Sequence, residues 1–111
     1  MLWVTDLEAT IAFYRDVLGF ECVSQMEGWA CLSRDGVEVM LSLPNQHEPF
    51  ARPAFTGSFY FRTDQVDELW LHLQKRAPVV YPIENFPYGM REFAVRDNNG
   101  YILQFGQPME N

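Results

Sequence analysis

Glu38 and Glu92 stand in two segments of extended character, Val37–Leu43 and Arg91–Arg96, where carboxylates facing one another would act as general acid and general base. A single carboxylate on a strand more often serves an exposed face or an ion pair. Both glutamates are therefore read as surface residues, with Arg91 or Arg96 as partner for Glu92. Other catalytic sets are missing from the sequence. Cys22 and Cys31 have no adjacent histidine to activate a thiolate, and neither a glycine-rich phosphate loop nor a Gly-x-Ser-x-Gly elbow occurs. His47, in a polar connection, and His72, on a helical stretch, read as solvated or packing histidines. No catalytic residue is assigned.

The elements that would position these side chains fall into two copies of one module. Thr5-Asp6 and Thr63-Asp64, 58 residues apart, each close an apolar run and open a helical pattern. In the first helix Leu7, Ile11, Tyr14 and Leu18 share a face. Thr5 with Glu8 has the spacing of a capping box, and Gly19 supplies the stop. In the second, Val66, Leu69, Trp70 and Leu73 form the stripe, Asp64 is the expected cap and Pro78 forbids continuation.

Short extended segments surround these helices: Leu2–Val4, Glu21–Gln25, Trp29–Ser33 and Val37–Leu43 in the first half, and Ser58–Arg62, Val79–Pro82, Arg91–Arg96 and Tyr101–Phe105 in the second. Asp35-Gly36 and Asn98-Asn99-Gly100 are the hairpin turns, since such residues reach positive φ at low cost. Gly36 and Gly100 lie 64 apart, so the second copy carries about six extra residues, expected near Pro82–Pro87. Each half reads βαβββ. The expected fold is α+β, one domain of two paired modules forming a curved mixed sheet around a cleft, with module one at 1–43, a connection at 44–57 and module two at 58–106.

Phe13-Tyr14-Arg15-Asp16-Val17-Leu18-Gly19-Phe20, the repeated strand-Thr-Asp-helix junction, and the closing hairpin Gly89-Met90-Arg91-Glu92-Phe93-Ala94-Val95-Arg96-Asp97 to Gly100 together resemble the vicinal oxygen chelate superfamily of glyoxalases, extradiol dioxygenases and bleomycin-resistance proteins. The hairpin is most similar to the bleomycin-resistance branch, although Asp97-Asn98-Asn99-Gly100 replaces the usual Asp-Pro-Asp-Gly turn. The resemblance implies where metal ligands would lie. A Gly-x-x-x-Glu pattern counted from each turn glycine gives Met40 and Gln104; the histidine position of the second module gives Ser58, and its counterpart falls ahead of Met1. Divalent ions need ionised carboxylates, imidazoles or thiolates to offset dehydration, and Met, Ser and Gln do not supply them. No metal and no other cofactor is expected.

What is left is binding. Alternation places Ser58, Tyr60 and Arg62 on one strand face and Phe59 and Phe61 on the other, and groups Gln104 with Ile102 and Met40 with Glu38 and Ser42. Trp29, Phe50, Phe55, Phe86 and Tyr88 sit at strand edges or in loops, where rings stack on planar compounds. The candidate ligand contacts are Trp29, Met40, Phe55, Ser58, Tyr60, Tyr88, Arg91 and Gln104.

A net charge of −7 argues against a nucleic-acid partner and favours a cationic or neutral ligand, and with rings to stack on the expected partner is a small organic molecule, cationic and aromatic. No apolar stretch reaches membrane-spanning length, and Met1–Asp6 lacks the character of a secretory signal, which leaves the cytoplasm as the expected location. The resemblance implies a homodimer and a metal-free protein that sequesters its ligand. The alternative is a glyoxalase- or dioxygenase-like enzyme with a degenerate metal site.

Overall fold

Each apolar stripe seen in the sequence folds onto a sheet of its own module. The computed structural model describes residues 1–44, 52–55 and 57–109, and the chain divides into two units, Met1–Ala54 and Phe55–Asn111. His47 and Phe50 lie outside the described residues. The first unit comprises β1 (Leu2–Trp3), α1 (Leu7–Asp16), β2 (Glu21–Met26), β3 (Trp29–Arg34) and β4 (Val37–Ser42). The second comprises β5 (Phe59–Arg62), α2 (Val66–Leu73), β6 (Val79–Phe86), β7 (Met90–Arg96) and β8 (Ile102–Pro108).

Strand orders are β1-β4-β3-β2 and β5-β8-β7-β6, each with one parallel pair between its first two strands and antiparallel pairs after it. The fold is thus α+β, two βαβββ modules with two open, mixed four-stranded sheets. Among the described residues no helix is long and apolar enough to cross a membrane.

The helices start differently from the sequence expectation. The Thr5–Glu8 capping box does not form: Asp6, in an extended conformation, is the N-cap, and its carboxylate accepts from the Ala9 N–H at 2.9 Å. Thr5 lies one residue too early, and the Glu8 carboxylate instead accepts from Gln25 on β2 at 2.8 Å. Asp64 does not cap α2 either. Its N-cap is Gln65 without a side-chain bond, because the Val66 N–H finds Gln107 Oε1 on β8 at 3.1 Å, a tertiary acceptor in place of a local one. Gly19 does end α1, with φ of +77° and the Phe20 N–H bonded back to the Tyr14 carbonyl at 2.9 Å. The Arg34 guanidinium reaches over Gly19 to the Leu18 carbonyl, so a Cβ at Gly19 would press on it at 3.0 Å.

The extra residues of the second module form no loop. They lie within β6, whose pairing with β7 shifts register between Val79 and Tyr81 and again between Tyr81 and Glu84. An edge strand absorbs insertions as bulges because only one side of it must keep its ladder, which also accommodates Pro82 there. Asp35 (φ +50°) with Gly36 (φ +83°) and Gly100 (φ +87°) make the two expected turns.

Replacing Asp6 with alanine should lower stability by about 1 kcal/mol, and Thr5→Ala should change it by only a few tenths. Urea denaturation of both variants checks this; an equal loss in both would restore the capping box.

Candidate functional site

Register decides which residues of the second unit share a face. β7 and β8 place Ala94 opposite Gln104 and Glu92 opposite Gly106, while β5 lays Tyr60 beside Gln104. One face carries Phe61, Phe93 and Phe105, stacked with ring centroids 5.3 Å apart, and Trp70 of α2 lies 5.3 Å from Phe93. That aromatic layer is the core of the unit. Arg91 is on this helix-covered side, where it pairs with Asp67 of α2 at 2.9 Å and donates to Asn85 at 2.9 Å.

The opposite face is built around one carboxylate. Glu92 is 1 % exposed, and its oxygens accept from the Tyr60 hydroxyl at 3.0 Å, from Gln104 Nε2 at 3.2 Å and from the Tyr81 hydroxyl. Gln104 Nε2 also donates to the Tyr81 oxygen at 2.8 Å, and Ser58 Oγ donates to Gln104 Oε1. The sequence reading of Glu92 as an exposed or arginine-paired residue is thereby corrected. Arg91 is held by Asp67 across the sheet, and Arg96 donates to the Gly100 carbonyl at 3.0 Å.

Gly106 makes room for the arrangement: a Cβ there would lie 1.9 Å from the Tyr60 hydroxyl oxygen, so the glycine lets the phenol lie on the backbone of β8 and reach Glu92. Burial alone would push the Glu92 carboxyl up, but hydrogen bonds from Tyr81, Tyr88, Tyr60 and Gln104 outweigh it and hold the group below the ordinary 4.5. Burial and then the Glu92 charge push Tyr60 up to about 12 and raise Tyr81 further. Tyr88, bonded to the same carboxylate, is also pushed up to about 12.

Beside this network lies an open depression of about 450 Å³, walled by Phe55, Ser58, Val80, Tyr81, Ile102 and Gln104. Phe55, 55 % exposed, stacks on Phe59 at 4.6 Å, and Tyr88 stacks on Phe86 at 5.4 Å, which in turn sits 5.6 Å from Tyr81. Ser58, Tyr60 and Gln104 thus belong to one network, Phe55 to its apolar wall and Tyr88 to its rim. Trp29 and Met40 share a face of the first unit's sheet, since β3 and β4 pair Trp29 with Ser42 and Cys31 with Met40. A second depression, about 610 Å³ around Asp6, Gln25, Met26 and Leu43, touches none of the candidate residues.

Glu92 and Tyr81 are the site residues missed in the sequence. Glu92 was within reach, because a hairpin turning at Gly100 forces even-numbered residues of β7 onto the face of Gln104. Tyr81 was not, because the bulges of β6 break the period of two.

A divalent metal does not fit these residues. Gln104 Oε1 is taken by Ser58, its nitrogen faces Glu92, and the single carboxylate is occupied by neutral donors. Among the described residues no three His, Cys, Asp or Glu side chains converge.

The family model of the Glyoxalase/Bleomycin resistance protein/Dioxygenase superfamily matches residues 1–105. The chain belongs to this superfamily. Among solved structures it is similar to TnmS3, an antibiotic binding protein from Streptomyces sp. CB03234, with 28% identity over 96% of this chain and 90% of that one and a TM-score of 0.78. A lactoylglutathione lyase from Agrobacterium tumefaciens has 26% identity over 96% and 88% of the two chains and a TM-score of 0.71. TioX from Micromonospora sp. ML1, at 24% identity over 97% and 94% and a TM-score of 0.81, shares the fold. No curated protein matched the chain.

The tyrosine shifts fix a pH dependence. A phenol whose folded pKa is raised from 10.0 to about 12 contributes stability in full below pH 10, and this is lost as pH rises toward 12. Wild-type stability should therefore be flat approaching pH 10 and fall beyond it, more steeply than in Glu92→Gln. Equal slopes in alkaline denaturation series would show that the phenols are not held by Glu92.

Proposed function

We propose that this chain is a metal-free binding protein that sequesters a small organic molecule on the open face of its second-module sheet. The supporting observation is the Ser58–Gln104–Tyr81–Glu92–Tyr60 network, in which Ser58 and Gln104, two of the positions where the superfamily resemblance implies metal ligands, are engaged as hydrogen-bonding partners. Next to it, Phe55, Val80 and Ile102 offer apolar surface for a flat ring, the mixture of stacking area and few polar groups that suits organic ligands. The likeness to an antibiotic binding protein at 28% identity supports the same reading, and the charge of −7 favours a cationic ligand.

Within this proposal Phe55, Ser58, Tyr60, Tyr88 and Gln104 contact the ligand. Arg91 would act through its grip on α2. The protein would work in the cytoplasm as a homodimer. Val23, Met26 and Met40, exposed by 51, 65 and 41 %, leave apolar surface for a second copy to cover.

A second reading, an enzyme with an atypical site, is favoured by the likeness to the lactoylglutathione lyase. Against it stands Glu92, whose carboxyl below 4.5 and surrounding donors make it a weak base.

Calorimetric titration with metal-free bleomycin in a chelating buffer tests the proposal. Saturable binding at sub-millimolar concentration is expected, weakened roughly 3- to 10-fold by Phe55→Ala through lost stacking. Absence of saturable heat, or binding only after Zn²⁺ or Mn²⁺ is added, would overturn it.

A further inference from the structure

The hydrogen bonds of the open face all run one way. Ser58 donates its only hydroxyl proton to Gln104 Oε1, the amide directs its donors to Tyr81 and Glu92, and Tyr81 and Tyr60 donate theirs to Glu92. An ionised carboxylate only accepts, so it dictates this direction and also the orientation of the Gln104 amide. The protons on this face are therefore spent inward, and what the exposed Ser58 oxygen has left for a visitor is lone pairs.

Building on the binding function proposed above, the geometry points to a ligand class: a planar compound that presents N–H or O–H donors along one edge, the edge that meets Ser58, while its ring lies on Phe55. A compound whose matching edge carries only acceptors would meet lone pairs with lone pairs and lose its water without replacement. The direction reverses only if Glu92 takes a proton, and its carboxyl lies below 4.5, so the preference holds throughout neutral pH.

This selectivity is separate from attraction of cations by an acidic surface. Proflavine and acridine orange distinguish the two: both are planar acridinium cations, but the exocyclic amino hydrogens of the first are methyl groups in the second. Fluorescence anisotropy titrations should give proflavine an affinity at least about 10-fold higher. Ser58→Ala, at an exposed position, should weaken proflavine roughly 3- to 10-fold, the range of one neutral hydrogen bond, and leave acridine orange within about 2-fold. Glu92→Gln, which can donate as well as accept, should bring the two dyes to within about 2-fold of each other.

Equal affinities in wild type, or tighter acridine orange, would overturn the donor-edge inference while leaving small-molecule binding standing. A preference that survives in folded Glu92→Gln, or that Ser58→Ala leaves untouched should Glu92→Gln fail to fold, would overturn it as well. If neither dye saturates, the inference and the binding function fall together.

Discussion

A carboxylate withdrawn from water costs several kcal/mol unless donors replace its hydration. At Glu92 that requirement organises the open face of the second module. The side chain is 1 % exposed, and among its donors are two phenols and an amide from other strands of the sheet. Each of those donors comes from a different strand, Tyr60 from β5, Tyr81 from β6 and Gln104 from β8. Satisfying one charge on β7 thus ties together all four strands of the sheet, on the side away from its helix.

The rest of the unit serves this arrangement. The aromatic layer of Phe61, Phe93 and Phe105 fixes the sheet from behind, and Arg91 binds α2 to β7 through Asp67. Gly106 provides the gap over which the Tyr60 ring crosses β8. The bulges of β6 set the local register at which Tyr81 pairs with Ala94. The polar groups of this face satisfy one another, and the amide of Gln104 suits the arrangement because it both accepts from Ser58 and donates to Tyr81 and Glu92. A glutamate there would set a second carboxylate against Glu92, and like charges at that distance destabilise one another.

Much of the fold was legible because its signals are local. Helix stripes such as Leu7, Ile11 and Tyr14, and the positive-φ pairs at Asp35-Gly36 and Gly100, announce elements and turns within a few residues. The repeat of Thr-Asp junctions gave the two modules. The parts not legible locally are those settled by distant partners: Gln107 takes the place of Asp64 at the start of α2, and the edge position of β6 lets it take up the extra residues as bulges. The same holds at the site. Ser58 and Gln104 stand out through the superfamily resemblance and Tyr60 through strand alternation, whereas Glu92 has Arg91 and Arg96 beside it in sequence, and these are engaged by Asp67 and by the Gly100 carbonyl.

The central physical claim is that Glu92 remains ionised while buried because neutral donors hold it. Carboxyl-detected NMR of the 13C-labelled protein follows this group directly through an acid titration. The midpoint of Glu92 is expected below 4.5, moving upward in Tyr60→Phe as one donor is removed. A midpoint above 4.5 in the wild type would mean that burial dominates and that the carboxyl is a proton donor in its own right, which would contradict both the direction of the network and the function built on it.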